Sequence, residues 1–279
     1  MDADRFWSLI EQARTNAGPM ADEAVRDVDP DEISDGHDYW NFDDLDVDDL
    51  RERLESTTPD DVATDLDDTP ADDGFADDEF EEDEEEDLTD PVAVALFDLL
   101  VQLPAGEIAA FENQFEDHRA LADREDIANA AVLIEHGLLG DDSFEDFRAG
   151  LVALGRSAFE AALAAPDSLA AHRLVREIAA APDPRYLGRE DLLYVASHAY
   201  ATVTGEEELS FYEYAESCRD PEAAVPEPAE VADWEVTDEA QTRQRLPQLA
   251  DLFFDRSMRI REKAMEKLGL RADEGGMGR

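Results

Sequence analysis

The sequence has little lysine, little cysteine and no long apolar run. Only two lysines stand against 21 arginines, and one cysteine, Cys218, occurs in 279 residues. A single cysteine excludes an intrachain disulfide and is typical of a reducing compartment. The longest apolar segment, residues 91–104, is too short to span a membrane and is interrupted by Asp98. Because residues 1–14 are polar and charged, we expect no signal peptide, no membrane association and a cytoplasmic location.

The sequence also lacks the common motifs of enzymes and metal sites. It contains no G-x-S-x-G, no H-E-x-x-H and no glycine-rich phosphate loop before a helix. Residues 27–31 and 44–48 each hold three aspartates at alternate positions, as at the start of a calcium loop. The sixth position of each, however, is Glu32 or Asp49 rather than glycine. We therefore expect no catalytic residue, no metal and no cofactor.

Negative charge is what the sequence has in excess, with a formal net charge of -51. Residues 22–90 hold 33 acidic residues and three arginines, and the chain from Pro91 onward carries -20. This composition is typical of a cytosol at molar salt, where a Debye length of about 3 Å screens repulsion. The alternative is an acidic protein of an ordinary cytosol that binds basic partners or mimics nucleic acid. The acidic character of both halves favours the halophilic interpretation.

Apolar residues recur at helical spacing outside residues 22–90, and no strand alternation is present. The pattern predicts an all-α fold, a compact multi-helix domain with a long acidic insertion and a C-terminal amphipathic helix. Residues 22–90 have too few apolar side chains to pack, so we expect this insertion to be disordered. The predicted division is 1–18 first core helix, 19–90 insertion, 91–218 helical core, 219–237 linker, 238–270 basic amphipathic helix and 271–279 tail.

A polar site is one hypothesis, built on Asp141, Asp142, Arg148 and Arg156. Two carboxylates and two guanidiniums at helix ends could hold a small polar ligand. The alternative is structural. Asp142 and Ser157 would cap two helices, in the pattern of capping boxes, and the arginines would pair with Glu145 and Glu160. The sequence favours this structural alternative.

Partner docking is a second hypothesis. An apolar island in the acidic insertion contains Trp40, Phe42, Leu45 and Leu50. It predicts a short amphipathic element that docks on a partner or on the protein's own core. Near the C-terminus one helical face holds Arg256, Arg259, Lys263 and Lys267. The first interpretation is that this face is solvated, and the second is that it contacts a partner or the acidic insertion. Binding of nucleic acid ranks last, because molar salt weakens phosphate binding.

Several segments together resemble the bacterial and archaeal family catalogued as domain of unknown function 4240. The segments are 1–10, 103–111, 140–148, 155–163, 166–169, 193–200 and 204–206. The chain departs from the family pattern at five positions. The family usually has tryptophan and tyrosine in place of Ala128 and Val132, often has cysteine-serine in place of Leu139 and Gly140, and has tryptophan in place of Gly150. The resemblance implies a small helical domain, with the acidic segment inserted between its first two helices, and no established activity.

The sequence as a whole favours a non-enzymatic protein-binding or regulatory helical module. Its contacts would be the docking island and the C-terminal helix. The alternative is a small enzyme or polar-ligand-binding domain that uses Asp142, Arg148 and Arg156. The sequence identifies neither partner nor oligomeric state.

Overall fold

The described part of the chain is all-α, which confirms the predicted fold class. The computed structural model describes residues 1–23, 88–182, 185–207, 209–219, 227–229, 231–232 and 234–267. The helices are α1 Ala3–Ala17, α2 Pro91–Leu100, α3 Ala105–Leu121, α4 Glu125–Ile134, α5 Asp141–Ala153, α6 Arg156–Ala164, α7 Arg173–Ala180, α8 Asp191–Thr204, α9 Leu209–Ser217, α10 Glu239–Arg245, α11 Pro247–Leu249 and α12 Asp255–Lys267. Short 3-10 segments follow α1 and α6, and a π-helical segment, Ala250–Phe254, joins α11 to α12. Within these ranges there is no β-strand and no helix that could cross a membrane.

Helix α5 lies at the centre of the fold. Every residue from Phe147 to Gly155 is buried, and α5 packs against α1, α3, α4, α6 and α8. On one side of it α1, α2, α3, α8 and α9 pack together, and on the other α4, α7 and α11 gather around the 3-10 segment Pro166–Ala171. Phenylalanines fill much of the interior, namely Phe6, Phe111, Phe115, Phe147, Phe159, Phe211 and Phe253. Burial of each such side chain contributes about 1.5–3 kcal/mol, which makes this packing the main stabilising term.

Two helices begin one residue earlier than the predicted caps. Helix α5 begins at Asp141 after Gly140, and the Ser143 hydroxyl accepts from the Gly140 amide at 2.8 Å. Asp142 is therefore inside the first turn, so its assignment as the N-cap was wrong. Helix α6 begins at Arg156, where the Glu11 carboxylate accepts the Arg156 amide at 3.1 Å. Ser157 is not the cap because a carboxylate from α1 takes that place.

The C-terminal segment is divided and lies against the rest of the helices. Helix α10 ends at Arg245, Pro247 opens a new turn, and Phe253 and Phe254 are buried in the π-helical segment that follows. Gly137, with φ of +88°, lies against α12, and a Cβ there would overlap the Ser257 carbonyl. A glycine is therefore required for α12 to approach the end of α4 this closely. The proposed docking residues Trp40, Phe42, Leu45 and Leu50 lie outside the described residues.

Candidate functional site

The two arginines of the hypothetical polar site pair with different carboxylates. Asp141 and Asp142 are exposed at the start of α5. Arg156 is also exposed and pairs with Glu160 on its own helix and with Asp4 on α1, each at 2.7 Å. Arg148 is buried and bonds the Glu145 carboxylate. Both arginine–glutamate pairs of the structural alternative are therefore present.

Arg148 belongs to a charge network between α3 and α5, which we call the α3–α5 network. Its centre is Glu145, which accepts from Arg148 on its own helix and from Arg119 on α3. Arg119 also bonds Glu116 at 3.0 Å, and the Arg148 guanidinium lies 4.9 Å from the centre of the Phe144 ring. Both guanidinium groups are mostly shielded from solvent, which strengthens these charge-assisted bonds.

Two carboxyl groups beside this network have raised pKa values. Burial on α3, then repulsion by Glu116, raises the pKa of Glu112 to about 8, with Arg119 acting in the opposite direction. Burial, then the charges of Glu190, Asp142 and Glu145, raises the pKa of Asp146 to about 7. At neutral pH Glu112 is therefore mostly protonated, and it can donate a hydrogen bond to Glu116 rather than add a charge.

A buried arginine contacts the residues on both sides of segment 24–87. The Arg189 guanidinium bonds the Asp90 carboxylate, and both side chains are almost fully buried. The same guanidinium donates to the carbonyls of Ala21 and Glu23, at 3.0 and 3.1 Å. Residues 21–23 precede the insertion and Asp90 follows it, so one side chain brings the two ends of a 64-residue segment together.

Asp191 holds the second end from the first turn of α8. Its carboxylate accepts the amides of Thr89 and Asp90, at 2.5 and 2.6 Å. Asp90 in turn caps α2 by accepting from Val92 and Ala93. We call Arg189, Asp191 and the backbone segments 21–23 and 88–90 the clamp.

The sequence did not reveal the clamp, because its two halves are about 100 residues apart. The only local signal was Asp90 before Pro91, an N-cap followed by proline at the first helical position. Nothing near Arg189 marks it as buried or paired. The α3–α5 network was missed for the same reason, apart from the Glu145–Arg148 spacing of three residues.

Two of the C-terminal cations bond the core rather than face solvent alone. Arg256 donates to the carbonyls of Ala179 and Ala181, at 3.5 and 3.1 Å, where α7 ends. Arg261 donates to the Gly137 carbonyl at 3.1 Å. Arg259 and Lys263 are exposed on α12, and the side chain of Lys267 is outside the described residues.

Exposed acidic residues, Glu262 and Glu266, accompany Arg259 and Lys263 on α12. These two exposed cations of α12 are therefore accompanied by as many exposed carboxylates. In the same described part of the chain, no group of His, Cys, Asp or Glu side chains is arranged to hold a metal ion.

Comparison with known families confirms the resemblance found in the sequence. Residues 78–202 match the family model described as protein of unknown function (DUF4240). The match includes the α3–α5 network, Arg189 and Asp191, while α1, residues 204–206 and the C-terminal helices lie outside it. No curated protein and no solved structure matches the chain.

Proposed function

We propose that this protein is a non-enzymatic protein-binding or regulatory module. The family model that it matches is described without an activity. In this proposal the helical core is a scaffold, and the acidic segment 24–87 is what it presents to a partner. The clamp is the observation that carries the proposal. It joins the two ends of the segment at one buried point, so the segment leaves and re-enters the scaffold at a fixed place.

The chemistry of the clamp supports a positioning role. A buried ion pair adds little net stability compared with apolar packing, because both charges lose their hydration. It does impose one geometry, since each of the three acceptors of Arg189 must be in place. Arginine suits this task because its planar guanidinium presents several donors in fixed directions.

The composition of the segment indicates the partner. Residues 24–87 contain 30 acidic residues and three arginines, and the island of Trp40, Phe42, Leu45 and Leu50 is the main apolar group among them. We propose a partner with a basic surface and an apolar groove for the island. At molar salt the charges are screened, so the island supplies affinity and the charges supply selectivity. In this proposal the protein acts in a halophilic cytoplasm.

Deletion of the segment tests the proposal. The tagged protein is purified from its native lysate in molar potassium chloride, beside a variant in which a short glycine-serine linker replaces residues 24–87. We expect the variant to keep its helical circular dichroism, because the clamp lies outside the deletion, and to lose a stoichiometric partner. A second variant, the full chain with Trp40, Phe42, Leu45 and Leu50 changed to alanine, keeps the charge and should also lose the partner, because the island supplies the affinity in this proposal. A partner that binds the deletion variant equally well would contradict the proposal.

A small-ligand function is the second candidate, favoured by the raised pKa values of Glu112 and Asp146, since such shifts are common at functional sites. It would use the α3–α5 network with Arg148, rather than Arg156, whose partners lie on α1 and α6. A ligand that raises the melting temperature of the native chain, but not of an Arg148→Gln variant, would support this candidate.

A further inference from the structure

The loop that carries Arg189, residues 185–190, packs closely on the core and is hydrogen-bonded to it. The Leu187 carbonyl lies directly over Gly150 of α5, where any Cβ would overlap it. The Glu135 carboxylate accepts the amides of Leu187 and Gly188, at 2.9 and 3.3 Å. The Arg189 amide donates to the Asp146 carbonyl at 3.0 Å, so the loop and the middle of α5 are joined at the clamp.

Asp146, which lies against this loop, is acted on by the negative charge of three other carboxyl groups. Asp142 and Glu145 are on the same helix, and Glu190 is on the loop beside Arg189. Arg119 of α3 acts on Asp146 in the opposite direction, but its guanidinium already bonds Glu116 and Glu145. Asp146 is partly buried against the loop. A Cβ added at Gly188 would lie 3.1 Å from the Cβ of Asp146. An ionised Asp146 would therefore face like charge on both α5 and the loop.

We propose that protonation of Asp146 controls how firmly loop 185–190 keeps the clamp closed. A neutral Asp146 lies against the loop without repulsion, and an ionised one repels Glu190 and favours separation of the loop from α5. The clamp is then a proton-sensitive hold on segments 21–23 and 88–90. The control of the clamp by Asp146 does not depend on the proposed function. Only its consequence for the presentation of the acidic segment rests on that proposal.

The direction of the pH dependence follows from the two states. In the closed clamp, burial and like charge raise the pKa of Asp146 to about 7, while an opened loop returns the group towards its ordinary value of about 3.8. Closing therefore binds a proton between these two pH values. The closed state loses its advantage as pH rises through this window, and no further loss is expected above about pH 7.

Hydrogen exchange measured by mass spectrometry tests the inference on the full chain at constant molar salt. Peptides covering 88–95 and 185–192 are followed from pH 5 to 8.5, with rates corrected for intrinsic exchange. For the native chain we expect protection to fall by up to about a hundredfold between pH 5 and pH 7 and then to level off, since each pH unit between the two pKa values changes the ratio of closed to open loop by about a factor of ten. Asp146→Asn, which stays neutral, should remove this dependence.

Two variants separate a specific effect from a general one. Asp98→Asn removes one exposed charge on α2 and should behave as the native chain. Glu190→Gln removes the strongest like charge and should move the pH at which protection levels off to a lower value. Protection that does not depend on pH, or the same dependence in Asp146→Asn, would overturn the inference. Because no partner is present in this experiment, its failure is distinct from failure of the binding proposal.

Discussion

Glu112 shows how a single ionisable residue can couple the fold to pH. It is buried on α3 beside Glu116, and the cost of an unhydrated charge there raises its pKa to about 8. In an unfolded chain the same carboxyl ionises near its ordinary pKa of about 4.5. The folded state therefore binds one more proton than the unfolded state between these two values. Arg189 and Asp90 are also buried, and each of these two charges has the other as a partner.

Replacing Glu112 with glutamine should flatten the pH dependence of stability. In the native chain the free energy of unfolding should fall as pH rises from about 4.5 to about 8, by on the order of a few kcal/mol. Glu112→Gln keeps the shape of the side chain without the titration, so this part of the fall should disappear. Chemical denaturation at five pH values in molar salt measures it. The exposed Glu213→Gln on α9 is the control, and an equal effect there would contradict the role of burial.

At the scale of elements, several helix ends depend on residues from other helices. Glu11 of α1 accepts the first amide of α6. Asp167, in the 3-10 segment after α6, accepts the amides of Gln248 and Leu249 at 2.9 Å and so caps α11. Each of these bonds joins segments that are at least 80 residues apart, so local helix formation and tertiary packing depend on each other.

Removing the Asp167 carboxylate should weaken the attachment of the C-terminal helices. Asp167→Ala leaves two amides without their acceptor, and we expect a loss of about 1–2 kcal/mol in the free energy of unfolding. Asp167→Asn, which retains an acceptor oxygen, should recover most of this. Asp251→Ala removes an exposed acidic residue of the same region and should change stability by less than about 0.5 kcal/mol. Equal losses in the two alanine variants would contradict the capping role.

At the scale of the whole molecule, repulsion within the net charge of -51 destabilises the compact state. Residues 24–87 carry -27 of it and the rest of the chain -24, so the protein is acidic even without that segment. At about 0.01 M salt the Debye length is about 30 Å, which is comparable to the size of a domain, and repulsion acts across the entire surface. The arginines of the described core act locally, in pairs and on carbonyls, and do not neutralise this charge.

The charge leads to a prediction about salt. Dialysis from molar potassium chloride to about 0.01 M should reduce helical circular dichroism and increase the hydrodynamic radius, because screening is lost. The variant without residues 24–87 should require less salt for half of its helical signal. A neutral osmolyte at matched water activity is the control for hydration effects. Unchanged structure of the native chain in low salt would contradict the halophilic interpretation.

The sequence by itself determined the fold class, the approximate helix positions and the family resemblance. Apolar periodicity is a local property, so stripes such as Ile108, Phe111 and Phe115 identified a buried helix face without knowledge of its neighbours. The arginine pairs with Glu145 and Glu160 were also predictable, because residues three or four apart on a helix are neighbours.

Only the tertiary structure decided which distant residues meet. Arg189 and Asp90 are 99 residues apart, and no spacing rule connects them. The caps of α6 and α11 come from Glu11 and Asp167, which no local pattern could identify. The raised pKa values likewise depend on burial and on neighbours from other helices, and burial exists only once the helices have packed. Local periodicity therefore determines the helices, and packing determines the clamp, the charge network and the chemistry they permit.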